Sequence, residues 1–134
     1  MSDGEIRVAI NSDKDIVLAR QKGRALATEL GFGSGDATLI ATAISELARN
    51  IVSYAGKGQI TLKKVNGVNR QGLSIVASDN GPGIPDIRQA LRDGFSTSGS
   101  LGLGLPGVRR LMDEFEITSQ SGRGTTVVVK KWRQ

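Results

Sequence analysis

Glu46 and Asn50 stand four residues apart in a run whose apolar members, Ile40, Ile44, Leu47, Ile51 and Tyr54, recur at helical spacing. Side chains four apart on a helix project from one face. Measured from Leu47, Glu46 lies about 100° and Asn50 about 60° around the same side, at the shoulder of the apolar stripe and bordering the core without pointing into it. A carboxylate there can act as a general base, and a neighbouring amide oxygen can ligate a hard cation such as Mg²⁺. The same spacing also suits a solvated helix shoulder with Arg49 as a surface charge.

Two further segments could carry chemistry. Asp79-Asn80-Gly81-Pro82-Gly83-Ile84 follows directly on an apolar strand. A carboxylate at a strand end can accept a hydrogen bond from an exocyclic amine, and Gly81 and Gly83 would let backbone approach a planar ring without a Cβ; a plain tight turn uses the same residues. Gly102-Leu103-Gly104-Leu105-Pro106-Gly107 matches G-x-G-x-x-G, yet Phe95 to Ser100 is no strand and too little chain follows for a dinucleotide domain. What survives is physical: glycines leading into a helix start present N–H groups to an anion, and the helix dipole adds to the attraction.

The chain has 134 residues, a one-domain length, with no cysteine and no histidine. That excludes disulfides, thiol nucleophiles, imidazole relays and Cys or His metal sites, so chemistry falls to carboxylates, hydroxyls, amides and backbone. Lys and Arg number 18 against 13 Asp and Glu, a net charge of +5. With no run of four basic residues and 4% aromatics, the surplus argues against nucleic acid and for an anionic ligand. The acidic start Met1 to Glu5 is no signal peptide, and no segment approaches the roughly 20 apolar residues that span a bilayer. A cytoplasmic protein with no membrane partner is expected.

The elements that must position these groups follow from periodicity. Glu5 to Asn11 alternates as a strand. A helix follows, capped by Ser12 or Asp13, with Ile16, Ala19, Gly23, Leu26 and Leu30 on one face, Gly31 as its stop and Phe32 folding back to the core. A second helix, capped by Ser34 or Asp36, runs to about Ala55. Gln59 to Val65 and Leu73 to Ser78 read as a hairpin around Asn66 to Asn69. Asp79 to Gly107 is glycine-rich, punctuated by Pro82, Pro85 and Pro106, with a short helix possible over Asp86 to Arg92. Such a long loop between regular elements suggests a lid. A third helix from Pro106 to about Phe115 precedes a second hairpin, Ile117 to Ser119 with Thr125 to Trp132. The sum is an α+β sandwich: one mixed sheet with helices on one face.

Taken in order, Glu46 with Asn50, the Asp79 turn, the Gly102 turn and Gly124-Thr125-Thr126 resemble the four nucleotide-binding boxes of the GHKL ATPases, the superfamily of gyrase B, Hsp90, histidine-kinase ATPase domains and MutL. Within it, GFGSGDATLIATAISELARNI, DNGPGIPDIRQALRDGFSTSG and GLPGVRRLMDEFEI resemble the stressosome serine/threonine kinases, relatives of the anti-sigma-factor kinases, and the likeness covers nearly the whole chain. It implies a Bergerat-type fold over residues 1–134, with ATP and Mg²⁺ as cofactors. It further implies STAS-domain proteins, scaffold and antagonist of a stressosome, as phosphoacceptors, and partner switching that activates a downstream effector such as a phosphatase. By the same resemblance Glu46 is the general base and Asn50 the Mg²⁺ ligand. Asp79 holds the adenine amine, with Gly81, Gly83 and Ile84 at the ring and Thr126 completing the pocket. Gly102, Leu103, Gly104 and Leu105 give backbone donors to the phosphates, and residues 84–101 form the ATP lid. Phe95 to Leu105 contains no Lys or Arg, so Mg²⁺ and the helix terminus must supply most of the charge stabilisation at the γ-phosphate unless Arg49, Arg92 or Arg109 reaches in. The rival expectation is an anti-sigma-factor-like binding module that uses ATP structurally. An ATPase motor would need a transducer domain that 134 residues leave no room for.

Overall fold

The computed structural model describes residues 5–83 and 104–133. Strand β1 (Ile6–Ile10) leads into helices α1 (Asp13–Glu29) and α2 (Ser34–Tyr54), then β2 (Gly58–Gly67) and β3 (Arg70–Asp79). Helix α3 (Gly104–Leu111) and strands β4 (Glu114–Gln120) and β5 (Gly124–Trp132) follow.

Both ends of α1 and the start of α2 have local causes. Asp15 reaches back from the first turn of α1 and accepts from the Ser12 and Asn11 N–H groups at 3.2 and 2.8 Å, which fixes Ser12 as the cap. At the other end Gly31 takes φ +92°, Gly31 N–H donates to Thr28 O and Phe32 N–H to Ala27 O, both at 3.0 Å. That is the paired-bond stop for which a glycine is needed, and it turns Phe32 into the core. Helix α2 is capped by Gly33, one residue before the expected Ser34; Asp36 stays in the first turn, where its charge favours the helix dipole.

Among the described residues five strands form one sheet in the order β1-β2-β3-β5-β4, and the four pairings between them are antiparallel. The expected mixed sheet is thereby corrected. Two helices intervene between β1 and β2, yet the chain returns reversed, because an even number of helical passes brings it back to the end of the sheet where β1 finished. Ile60 and Leu62, Leu73, Ile75 and Ala77, and Val127 and Val129 point to one face, where Ile40, Ile44, Leu47 and Ile51 of α2 and Ile16 and Leu26 of α1 complete the core. A Cβ on Gly23 would run into the Ile44 side chain, so the bare backbone at Gly23 sets how closely α1 and α2 pack.

Three expectations change. The first hairpin is longer than its alternating run suggested, pairing to Gly67 with Arg70 around Val68 and Asn69, and Asn69 accepts φ +59° there. Tyr54, placed on the apolar stripe of α2, is 42% exposed at the helix end. The third helix stops at Leu111, not Phe115: Asp113 N–H already donates to Lys130 O at 2.9 Å, so the chain has joined β5, and Phe115 faces Val129 in the sheet. Among the described residues no helix is long and apolar enough to cross a membrane.

Gly124, at the start of β5, takes φ +100°, and a Cβ there would strike the Asp79 carbonyl. Gly124→Ala should therefore cost about 2–4 kcal/mol of folding stability, from strain and a forced shift of β3. Urea unfolding checks this, and a loss below about 1 kcal/mol would mean that β5 re-seats without strain.

Candidate nucleotide site

Helix α2 presents Glu46 toward α3, and its side chain is more deeply placed than helical geometry alone indicated. Glu46 is 7% exposed. Its Oε1 accepts from Arg49 Nη1 at 2.8 Å, and its Oε2 accepts from the Gly104 N–H at 3.2 Å. The shoulder position is thus corrected to a buried one, because α3 lies along α2 with Leu105 and Val108 in the core and closes over the carboxylate. Both oxygens of the carboxylate are engaged, as a buried charge requires.

Asn50 sits one turn further along α2, half-buried. Among the described residues no group of three or more Asp, Glu, His or Cys could hold a metal by itself. A single amide oxygen fits a Mg²⁺ that is carried by phosphate oxygens and water, the usual habit of that ion, better than an all-protein cage.

Asp79 closes β3. Its Oδ1 accepts from Gly81 N–H at 2.9 Å, a side-chain turn that stiffens the strand exit. The segment after it is tied down on two sides. A Cβ on Gly81 would lie 2.6 Å from Ala55 Cβ, at the end of α2. Gly83 takes φ +84° with its Cβ direction filled by the Gln120 carbonyl at 2.5 Å, and Gly122 N–H donates to Pro82 O at 2.8 Å. The fold itself thus requires both glycines, so what they can offer a ligand is backbone.

The strand register reassigns the threonine. Asp79 lies directly opposite Thr125, and Ser78 opposite Thr126. Opposed residues in an antiparallel pair share a face, so Thr125 stands on the helix-covered face with Asp79, while Thr126 points to the other face of the sheet. The register therefore puts Thr125, and not the expected Thr126, on the face of Asp79, and Thr125 Oγ1 shares a hydrogen bond of 2.9 Å with Ser119 Oγ. Alternation counted back from the core residues Val129 and Val127 was the signal that could have found it.

Gly104 and Leu105 open α3, with Gly104 at φ +65° and the Leu105 side chain buried. Their N–H groups belong to the first turn, which a helix leaves without internal partners. Ile84, Gly102, Leu103, Arg92, the segment 84–101 and the short helix over Asp86 to Arg92 lie outside the described residues. Of the other two candidate cations, Arg49 is held on Glu46, and Arg109 is exposed on α3.

Residues 35–134 match the family model described as histidine kinase-, DNA gyrase B-, and HSP90-like ATPase. The serine/threonine-protein kinase RsbT of Bacillus subtilis is 60% identical over 93% of this chain and 94% of its own length. An anti-sigma F factor of Thermoanaerobacter is 35% identical over 69% of this chain and 68% of its own. Among solved structures, the RsbU and RsbW domains of a Mycobacterium tuberculosis protein share the fold with a TM-score of 0.66 at 18% identity, over 98% of this chain and 34% of that one. The mycobacterial sensor histidine kinase MprB does so with a TM-score of 0.57 at 17% identity, over 96% of this chain and 98% of its own. A carboxylate enclosed between α2 and α3, an acid closing β3 and this breadth of likeness lead to one conclusion: the chain belongs to the histidine kinase-, DNA gyrase B- and HSP90-like ATPases and, among them, to the branch of the serine/threonine-protein kinase RsbT.

Proposed function

We propose that this protein, acting as one domain over residues 1–134 in the cytoplasm, transfers the γ-phosphoryl group of Mg-ATP to a serine or threonine of a STAS-domain partner, and that release from this partner frees it to activate a downstream signalling enzyme. The observation that carries the proposal is the Glu46 carboxylate, buried on α2 yet touching the first N–H of α3, where a phosphate would be received. In this reading Asp79 accepts from the adenine amine with Thr125 beside it. The backbone of Gly81, Gly83 and Ile84 lies along the ring. Gly102, Leu103, Gly104 and Leu105 donate to the phosphates beneath a lid of residues 84–101. Asn50 would hold Mg²⁺, which supplies charge neutralisation on the phosphates.

The reaction asks little covalent work of the chain. As the acceptor hydroxyl oxygen bonds to the γ-phosphorus and the bond to ADP breaks, Glu46 takes the hydroxyl proton. Positioning and charge neutralisation contribute more than proton removal, because the transition state is loose. A phosphate oxygen arriving at Gly104 would displace Glu46 Oε2, whose contact of 3.2 Å is the longer of its two, and free that oxygen to face the acceptor.

Incubation of the protein with Mg²⁺, γ-labelled ATP and STAS-domain proteins should label a hydroxyl residue of one of them. ATP binding without transfer to any of them would favour the second reading, a regulatory module that holds nucleotide structurally, which the 35% identity to an anti-sigma F factor supports.

A further inference from the structure

Arg49 contributes a charge next to the site that the reaction as described does not use. It lies one turn beyond Glu46 on α2, its side chain 38% exposed, and its Nη1 donates to Glu46 Oε1 at 2.8 Å. We infer that Arg49 is a positioning residue: it clamps one oxygen of Glu46 so that the other is aimed at the start of α3, and this inference rests on the reading of Glu46 as the base.

The geometry carries the argument in three steps. A glutamate side chain has three torsions, and burial alone does not choose among their rotamers. The Arg49 contact fixes Oε1 from within the same helix, at a spacing of three residues that brings side chains together. With Oε1 held by Arg49 the carboxylate has fewer orientations open to it, and in the one adopted Oε2 meets Gly104 N–H. Arg49 therefore sets an angle on a group whose misplacement by about 1 Å costs on the order of 10²-fold in rate. The contact is made through one nitrogen, so a lysine ammonium on a similar stem can take it over in part, whereas an alanine cannot.

The arrangement also argues against Arg49 as a direct phosphate ligand. Its Nη1 is engaged by the carboxylate, and turning that nitrogen to a phosphate would leave Glu46 with a single long contact in a buried position.

The test combines kinetics with an amide signal that does not depend on activity. Arg49→Ala should lower kcat for phosphotransfer about 10- to 100-fold with the KM for ATP nearly unchanged, and Arg49→Lys should recover much of the loss. In a Glu46→Gln background the same Arg49→Ala change should alter kcat by less than about 2-fold, because the group it positions has gone. In a ¹H–¹⁵N spectrum the Gly104 amide should shift in Arg49→Ala and return in Arg49→Lys. A Gly104 amide that stays in place overturns the inference, as does a rise in KM at constant kcat, or an equal loss of rate with and without Glu46. If the wild-type protein transfers no phosphoryl group, the kinase reading fails by itself, and the Gly104 amide still decides whether Arg49 aims the carboxylate.

Discussion

Replacing Glu46 by alanine is expected to lower phosphotransfer about 10²- to 10⁴-fold while nucleotide binding persists, the range lost with a positioned general base. The change removes the proton acceptor and the charge beside Gly104 together. It should not unfold the protein. Arg49, relieved of its partner, is exposed enough to be hydrated, and the Gly104 N–H becomes available to a phosphate. Glu46→Gln separates shape from charge: the amide can still accept from Gly104, yet it takes no proton, so it should be nearly as slow as the alanine variant. Single-turnover labelling of the acceptor with saturating ATP is the measurement. A Glu46→Gln protein that phosphorylates its partner near the wild-type rate would remove Glu46 from the chemistry.

Asp79→Asn should weaken ATP binding by about 1.5–3 kcal/mol, roughly 10- to 150-fold, the value of a hydrogen bond to a charged group. An asparagine keeps the Oδ1 acceptor that holds Gly81 N–H, so the exit from β3 survives. What changes is the second terminal atom, now an NH₂ donor facing the donor amine of adenine. The strand register adds a control. Thr125→Val should weaken ATP and Thr126→Val should leave it unchanged, since only Thr125 shares the face of Asp79. Titration calorimetry decides both, and equal ATP affinity in wild type and Asp79→Asn would contradict the adenine contact.

The parts of the site that sequence makes legible are those set by local rules. The stripe on α2, the Gly31 stop, the alternation of β1 and the acid at the end of β3 follow from periods and turn chemistry within a few residues. The burial of Glu46 was not legible, because it depends on a helix start 58 residues away lying against α2. Nor was the end of α3. Val108, Met112 and Phe115 satisfy a helical period, while Phe115 and Ile117 satisfy a strand period equally well, and pairing with β5 decides between them. Thr125 is a different case: the alternation that assigns it was present in Thr125 to Val129, but choosing between adjacent threonines required knowing which valines face the helices. The order of the strands likewise comes from non-local pairing that no short window contains.

That order has a consequence for how the protein comes into being. Strand β5 is the last of the five to leave the ribosome, yet it takes a place between β3 and β4. Until it inserts, Asp79 has no Thr125 across from it, Asp113 has no Lys130 carbonyl, and the turn after Asp79 lacks its tie to Gly122. A nascent chain that has finished α2 and the first hairpin already carries Glu46, Asn50 and Asp79, but not the wall that would bring a nucleotide to them. Capacity to bind ATP should therefore arrive in one step, with sheet closure, so a translation product halted before Thr125 would be silent in signalling instead of partly active.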